Sequence, residues 1–226
     1  MKIKITDAII LAAGTGKRFK KDLPKQFTKI IDQSSVEISL SKLINIKSIR
    51  NIYLVINKKY NYLFKNTPTK VKIIIGGRTR SKSVFNSLAH INTSSQLPDN
   101  ILIHDSVRPC VNDEEIKKLI KTSNNLKTGL ALGYPLTHAL KRVNKKINVV
   151  DHLTKNNLWL SFTPQIFNFK KLFASYKKVI ENKYKIDDDI QAMSLLSYKV
   201  GLIFSSNRNI KLTYQDDLAV IKDLLR

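Results

Sequence analysis

The sequence predicts an α/β fold, with a mainly parallel, twisted sheet carrying helices on both faces. Three observations lead there. Residues Ala8 to Ala13 form a continuous apolar run without polar alternation, which suits a strand covered on both faces. Further runs rich in Ile, Val and Leu alternate along the chain with stretches of helical periodicity. The first run also ends in a glycine loop, A-A-G-T-G-K-R-F, and open α/β sheets hold ligands at such strand ends.

In chain order, the first strand is expected near Ile5–Leu11 and a periodic stretch near Val36–Ile46 is the first helix. Strands follow near Ile52–Ile56 and Val71–Ile75, then a helix near Ser81–His90, a strand near Ile101–His104 and a helix near Asp113–Ser123. Leu130–Gly133 reads as the next strand. From Tyr134 to Asn157 the alternation breaks: Pro135 and several Asn and Lys residues surround two short apolar stretches. That segment is expected to leave the domain as a two-stranded arm, only marginally stable unless it lies on a second subunit. Helices near Phe169–Glu181 and Ile190–Ser197, a strand near Val200–Phe204 and a helix near Gln215–Leu225 complete the chain. No repeat or low-complexity linker interrupts it, so residues 1–226 read as one domain with an arm at about 134–157.

Composition narrows the setting. The lone Cys110 excludes an internal disulfide and a cysteine-based zinc cluster, and a reducing cytoplasm is the natural compartment. No signal peptide or bilayer-spanning segment is expected, so no membrane partner is. The net charge of +23 invites a nucleic-acid hypothesis. However, its basic pairs, such as Lys58-Lys59, Lys117-Lys118 and Lys177-Lys178, are spread along the chain without a basic tail, and Lys far outnumbers Arg. No specific nucleic-acid partner is expected.

The glycine loop fails two familiar tests. A Walker A loop requires Gly where Leu11 stands and Ser or Thr where Arg18 stands. A dinucleotide fingerprint starting at Gly14 and Gly16 would end at Phe19, too large for close helix packing. A short glycine loop remains, with Lys17, Arg18 and Lys25 in reach, which suits a polyanion such as a nucleoside triphosphate; the alternative is an ordinary tight turn beside solvated lysines.

Three more clusters follow strand ends. In G-G-R-T-R-S-K-S-V, Gly76 and Gly77 would let a base edge meet the backbone, and Ser83 offers a hydroxyl. In H-D-S-V-R-P-C, Asp105 could hold Mg²⁺ or a ribose hydroxyl and Arg108 a second phosphate; the plainer reading of Asp105 is a helix N-cap or an ion pair with Arg108, and His104 reads as a packed strand residue. In K-I-D-D-D-I-Q, three carboxylates precede a helix, where capping is the simpler account than a metal site. Lys211, in N-I-K-L-T, reads as a strand residue that is either solvated or a phosphate ligand.

Together with P-K-Q-F, L-W-L-S-F-T-P-Q and N-I-K-L-T-Y-Q-D-D-L, these motifs resemble the 2-C-methyl-D-erythritol 4-phosphate cytidylyltransferases, in order and over nearly the whole chain. The resemblance implies a Rossmann-like nucleotidyltransferase domain, a homodimer formed through the arm, and Mg²⁺-dependent transfer of CMP from CTP to a sugar-alcohol phosphate. It assigns Ala12, Ala13, Gly14 and Gly16 to the triphosphate, Arg18 and Lys25 to the pentacoordinate α-phosphate, Gly76, Gly77 and Ser83 to cytosine, and Asp105 with Ser106 to ribose and metal. Arg108, Lys155, Thr163, Asp187 and Lys211 are its acceptor-side positions.

Departures fall mainly on the acceptor side. His138-Ala139 replaces the family's Asp-Thr, Lys155 its Arg, Asp187 a common Thr, and Arg78 a common acidic residue. Related enzymes using ribitol 5-phosphate or another polyol phosphate are the competing reading, although the R-x-x-S-V from Arg80 to Val84 and the L-W before T-P-Q lean toward methylerythritol phosphate. A basic binding protein without catalysis is the alternative from another class; it predicts no CTP-dependent pyrophosphate release.

Overall fold

A computed structural model of the chain describes residues 4–16, 19 and 23–226. Its main sheet has seven strands. At the centre, β1 (Thr6–Ala12) lies parallel to β2 (Ile49–Ile56) on one side and to β4 (Asn100–Asp105) on the other, with β3 (Val71–Ile75) parallel outside β2. Successive residues of β1 enter opposite cores: Ala8, Ile10 and Ala12 join one, Ile9 and Leu11 the other. Both faces are therefore apolar, and the missing alternation follows.

Helices with apolar residues three and four apart close both cores. On the first face, α1 (Ser35–Ile44) contributes Val36, Leu40 and Leu43, and α3 (Asp113–Ser123) contributes Ile116, Leu119 and Ile120. On the second, α2 (Arg80–Asn92) inserts Val84, Leu88 and Ile91, and α4 (Phe169–Glu181) inserts Leu172, Tyr176 and Val179. Capping sets where they begin: Thr79 accepts from the Lys82 N–H at 3.1 Å ahead of α2, and Asn112 from the Glu114 N–H at 2.8 Å ahead of α3.

Beyond β4 the parallel order breaks. β5 (Gly129–Pro135) does not pair with β4; the ten-residue β8 (Trp159–Asn168) lies between them, antiparallel to both. Sequence reading assigned no element to this stretch, and Pro164 within it argues against a central strand. The register explains the tolerance. Gln165 pairs with Ala131 but Phe162 with Leu132, so Thr163 and Pro164 fall in a bulge and Pro164 is asked for no ladder hydrogen bond. β9 (Gly201–Phe204) then adds parallel to β5. The mainly parallel sheet is as expected, with this antiparallel insertion.

The expected excursion forms a separate antiparallel pair, β6 (Leu140–Val143) and β7 (Val149–Leu153), with Val143, Ile147, Val149 and Val150 exposed. α5 (Asp189–Ser194) and α6 (Asp217–Leu224) are shorter than the periodicity implied. Lys211 requires a correction: residues 209–213 belong to no strand. Leu212 carries this extended segment instead, donating its N–H to the Val107 carbonyl at 2.8 Å and packing with Phe19, Ile30 and Ile221.

Candidate active site

The order of strands locates the site before any side chain is considered. β1 has its parallel neighbours β2 and β4 on opposite sides, so the crevice opens past the carboxyl ends of β1 and β4. The glycine loop leaves β1 there. Gly16 has φ +66°, the left-handed region where glycine alone is unstrained. Gln26, buried in the short 3₁₀ turn Lys25–Phe27, donates its amide to the Ala12 carbonyl at 2.7 Å and the Gly14 carbonyl at 2.8 Å. P-K-Q is thus partly a clamp for the loop, a role sequence reading left unassigned.

Gly76, at the end of β3, abuts this loop. A Cβ there would lie 2.5 Å from the Ala13 Cβ and 2.9 Å from the Ser83 Oγ, so only glycine lets the segments meet. The Ser83 hydroxyl accepts from the Gly77 N–H and donates to the Thr79 carbonyl, both at 3.0 Å, which folds the G-G-R-T-R-S-K-S turn onto the start of α2.

Between these parts lies a cavity of about 610 Å³, whose walls include Ala13, Gly14, Lys25, Gly77, Ser83, Asp105, Ser106 and Lys211. Residues predicted from five separate stretches of sequence therefore converge. Arg80, Asn57 and Thr15, to which no role had been given, also line it. A groove of about 650 Å³ beside Lys42, Cys110, Asn112 and Glu115 gathers none of the predicted site residues.

Asp105 is the electrostatic centre. Its Oδ2 accepts from Lys211 Nζ at 2.7 Å, its Oδ1 lies 3.5 Å from Arg80 Nε, and its N–H donates to Thr163 Oγ1 at 3.0 Å. Burial alone would raise the carboxyl's pKa, but Arg80, Lys211 and Arg108 outweigh it and hold the group well below the usual carboxylate range. It is an anion at any working pH. Asp105 is ion-paired, but not with Arg108 as the sequence suggested: its partners are Lys211 and Arg80, while Arg108 Nη1 turns to the Asn209 carbonyl. Arg80 in turn makes a two-pronged contact with the fully buried Asp189, at 2.9 and 2.6 Å. Within K-I-D-D-D, Asp188 is indeed the cap, accepting from the Gln191 N–H at 2.9 Å, while Asp189 is this ion-pair partner.

Residues 6–226 match the family model of 2-C-methyl-D-erythritol 4-phosphate cytidylyltransferase (IspD). The chain belongs to this cytidylyltransferase family. Its similarity to the cytidylyltransferase of Blochmanniella pennsylvanica is 34% identity, covering 96% of this chain and 92% of that protein. With the Wigglesworthia glossinidia brevipalpis relative it is 35%, over 93% and 91%. The crystal structure of the Francisella tularensis cytidylyltransferase superposes with a TM-score of 0.85 at 28% identity, covering 97% of this chain and 99% of that one.

The acceptor-side positions expected of a cytidylyltransferase divide into two groups. Thr163 and Lys211 meet at Asp105, and Arg108 joins through Asn209, whose carbonyl accepts from Arg108 Nη1 at 2.7 Å while its amide donates to the Thr163 carbonyl at 3.0 Å. Besides this contact Arg108 lies over the Phe162 ring, 5.1 Å away; its Nε is buried without a hydrogen-bond partner, and the residue does not line the cavity. Asp187 and Lys155 do not line it either: Asp187 is exposed ahead of α5, and Lys155 donates to the Thr137 carbonyl on the arm at 3.0 Å. Arg18 lies outside the described residues. The Ser106 hydroxyl donates to the Leu11 carbonyl at 2.7 Å, tying β4 to β1, and only its lone pairs remain for a ligand. His104 is packed, as expected; both ring nitrogens lack a hydrogen-bond partner and burial lowers its pKa to about 4.

Proposed function

We propose that the chain transfers CMP from CTP to 2-C-methyl-D-erythritol 4-phosphate and releases pyrophosphate. The observation that carries this reading is the cavity in which the glycine loop, the Gly77–Ser83 turn and the Asp105–Lys211 pair face one another. An acceptor monoester phosphate is already a nucleophile. Its oxygen attacks the α-phosphorus, the bond to the β-phosphate bridging oxygen breaks, and pyrophosphate leaves with that electron pair. The protein then has to supply alignment and positive charge rather than a base. Lys25 and Arg18 are assigned to the α-phosphate, Gly77 and Ser83 to cytosine, Asp105 to ribose and metal, and Lys211 and Thr163 to the acceptor phosphate. The names of the matched family and relatives favour methylerythritol phosphate over ribitol 5-phosphate as acceptor.

Mg²⁺ belongs to this reading. Among the described residues no three His, Cys, Asp or Glu side chains converge on a metal position, and Asp105 is the only carboxylate lining the cavity. That donor set fits an ion held mainly by substrate phosphates, as Mg²⁺ commonly is, with Asp105 as its one protein ligand. When bound, the ion would neutralise triphosphate charge.

A homodimer completes the assignment. The exposed Val143, Ile147, Val149 and Val150 on the β6–β7 arm are a surface that a second copy would cover, and Lys155 on the arm would then serve the partner's acceptor site. Among the described residues no helix is long and apolar enough to cross a membrane, which is compatible with a cytoplasmic enzyme. The deciding measurement is pyrophosphate release from CTP with each acceptor offered separately, with Mg²⁺ and after chelation. Release with methylerythritol phosphate, lost on chelation, is expected; preference for ribitol 5-phosphate would overturn the acceptor assignment.

A further inference from the structure

Asp189 and Tyr176 lie behind the cavity rather than in it. Asp189 is 0% exposed, and a lone buried carboxylate is costly unless it is paired and hydrogen-bonded. It is both. Arg80 grips it through Nη1 and Nη2, and the buried Tyr176 hydroxyl on α4 donates to Oδ1. With both terminal nitrogens committed, Arg80 turns its Nε toward Asp105 Oδ1, at 3.5 Å. Its side chain nevertheless keeps 29% of its surface exposed and lines the cavity. A purely structural pair would be complete with Asp189; this arginine also faces the carboxylate at the centre of the site. Each Asp105 oxygen is thus claimed by a different cation, Lys211 on one and Arg80 on the other.

We propose that Asp189 is a positioning residue for nucleotide binding: anchored by Tyr176, it holds Arg80 where Arg80 orients Asp105. The inference rests on the reading of Asp105 as part of the CTP site. Without the anchor, Arg80 swings free and Asp105 Oδ1 loses its cation, which weakens CTP, while the existing Lys211 contact at Oδ2 and the acceptor side stay as they are.

The test is CTP binding by calorimetry on the full chain, together with the KM for the acceptor, in wild type, Asp189→Asn, Tyr176→Phe, Asp105→Asn and the Asp105→Asn/Asp189→Asn double variant. Asp189→Asn is expected to weaken CTP binding about tenfold, of the order of one charge-assisted hydrogen bond, with the acceptor KM within about twofold. In the Asp105→Asn background the same change is expected to have no further effect, because Asp189 acts through Asp105. Tyr176→Phe, which removes one hydroxyl and keeps the ring, is expected to shift CTP binding about two- to threefold, and it carries the test if Asp189→Asn does not fold. Wild-type CTP binding with an unchanged affinity in the folded variants, or additive losses in the double variant, overturns the positioning role alone. Failure of wild type to bind CTP overturns the cytidylyltransferase reading together with this inference.

Discussion

Lys211 Nζ lies 2.7 Å from Asp105 Oδ2, although the residues are 106 positions apart. The pair joins the nucleotide and acceptor halves of the proposed reaction in a single contact. Lys211→Ala would leave Asp105 beside Arg80 and Arg108, still an anion, and remove the cation that the cavity offers to the acceptor phosphate. kcat/KM for the acceptor is expected to fall about 10- to 100-fold, the range of one hydrogen bond to a charged group, with the KM for CTP within about threefold. Steady-state kinetics with each substrate varied in turn checks this; an unchanged acceptor term would remove Lys211 from that role.

The two glycine segments predict opposite outcomes for the same substitution. Gly76→Ala would place a methyl 2.5 Å from the Ala13 Cβ, so the loop must move; a loss of about 1–3 kcal/mol and of most CTP-dependent turnover is expected. At Gly14 a Cβ would meet nothing within 4 Å, so Gly14→Ala is expected to fold with stability within about 1 kcal/mol of wild type while narrowing the cavity and raising the KM for CTP. Denaturant melts and CTP titrations of both variants separate the cases.

The neutral, buried His104 gives stability a particular pH dependence. Its pKa falls from 6.5 in the unfolded chain to about 4 in the folded protein, so between those values the unfolded state binds more protons. Stability is therefore complete above pH 6.5 and is lost as pH falls toward 4, by about 3 kcal/mol at most. The depressed Asp105 adds loss only below its unfolded value of 3.8, outside this window. His104→Leu is expected to flatten the slope of unfolding free energy between pH 6.5 and 4; an identical slope would show that other groups set it.

Lys25 lines the cavity and Lys155 lies on the arm, so a shared site makes a mixing experiment informative. Lys25→Ala is expected to lower turnover about a hundredfold or more with little loss of fold. If Lys155→Ala is also inactive, subunit exchange between the two variants is expected to recover part of the wild-type rate, since one site of a mixed dimer holds both lysines. No recovery after verified exchange would mean that Lys155 does not act across an interface.

The sequence by itself determined the α/β class, the strands from β1 to β5 and β9, the arm and about half of the cavity wall, because unbroken apolar runs and glycine-rich strand ends are local signals. It did not disclose β8, whose Pro164 is acceptable only because a bulge between two neighbouring strands removes the demand for its hydrogen bond. Nor did it disclose what Gln26, Arg80 and Asp189 do, since each acts on groups distant in sequence: Gln26 on the carbonyls of Ala12 and Gly14, Arg80 on Asp105, and Asp189 on Arg80. Only the tertiary structure decided which charges meet. Coulombic pairing and hydrogen bonding depend on separation in space, and the fold brings Asp105 at the end of β4, Asp189 at the start of α5 and Lys211 in an extended segment to one place from three distant parts of the chain.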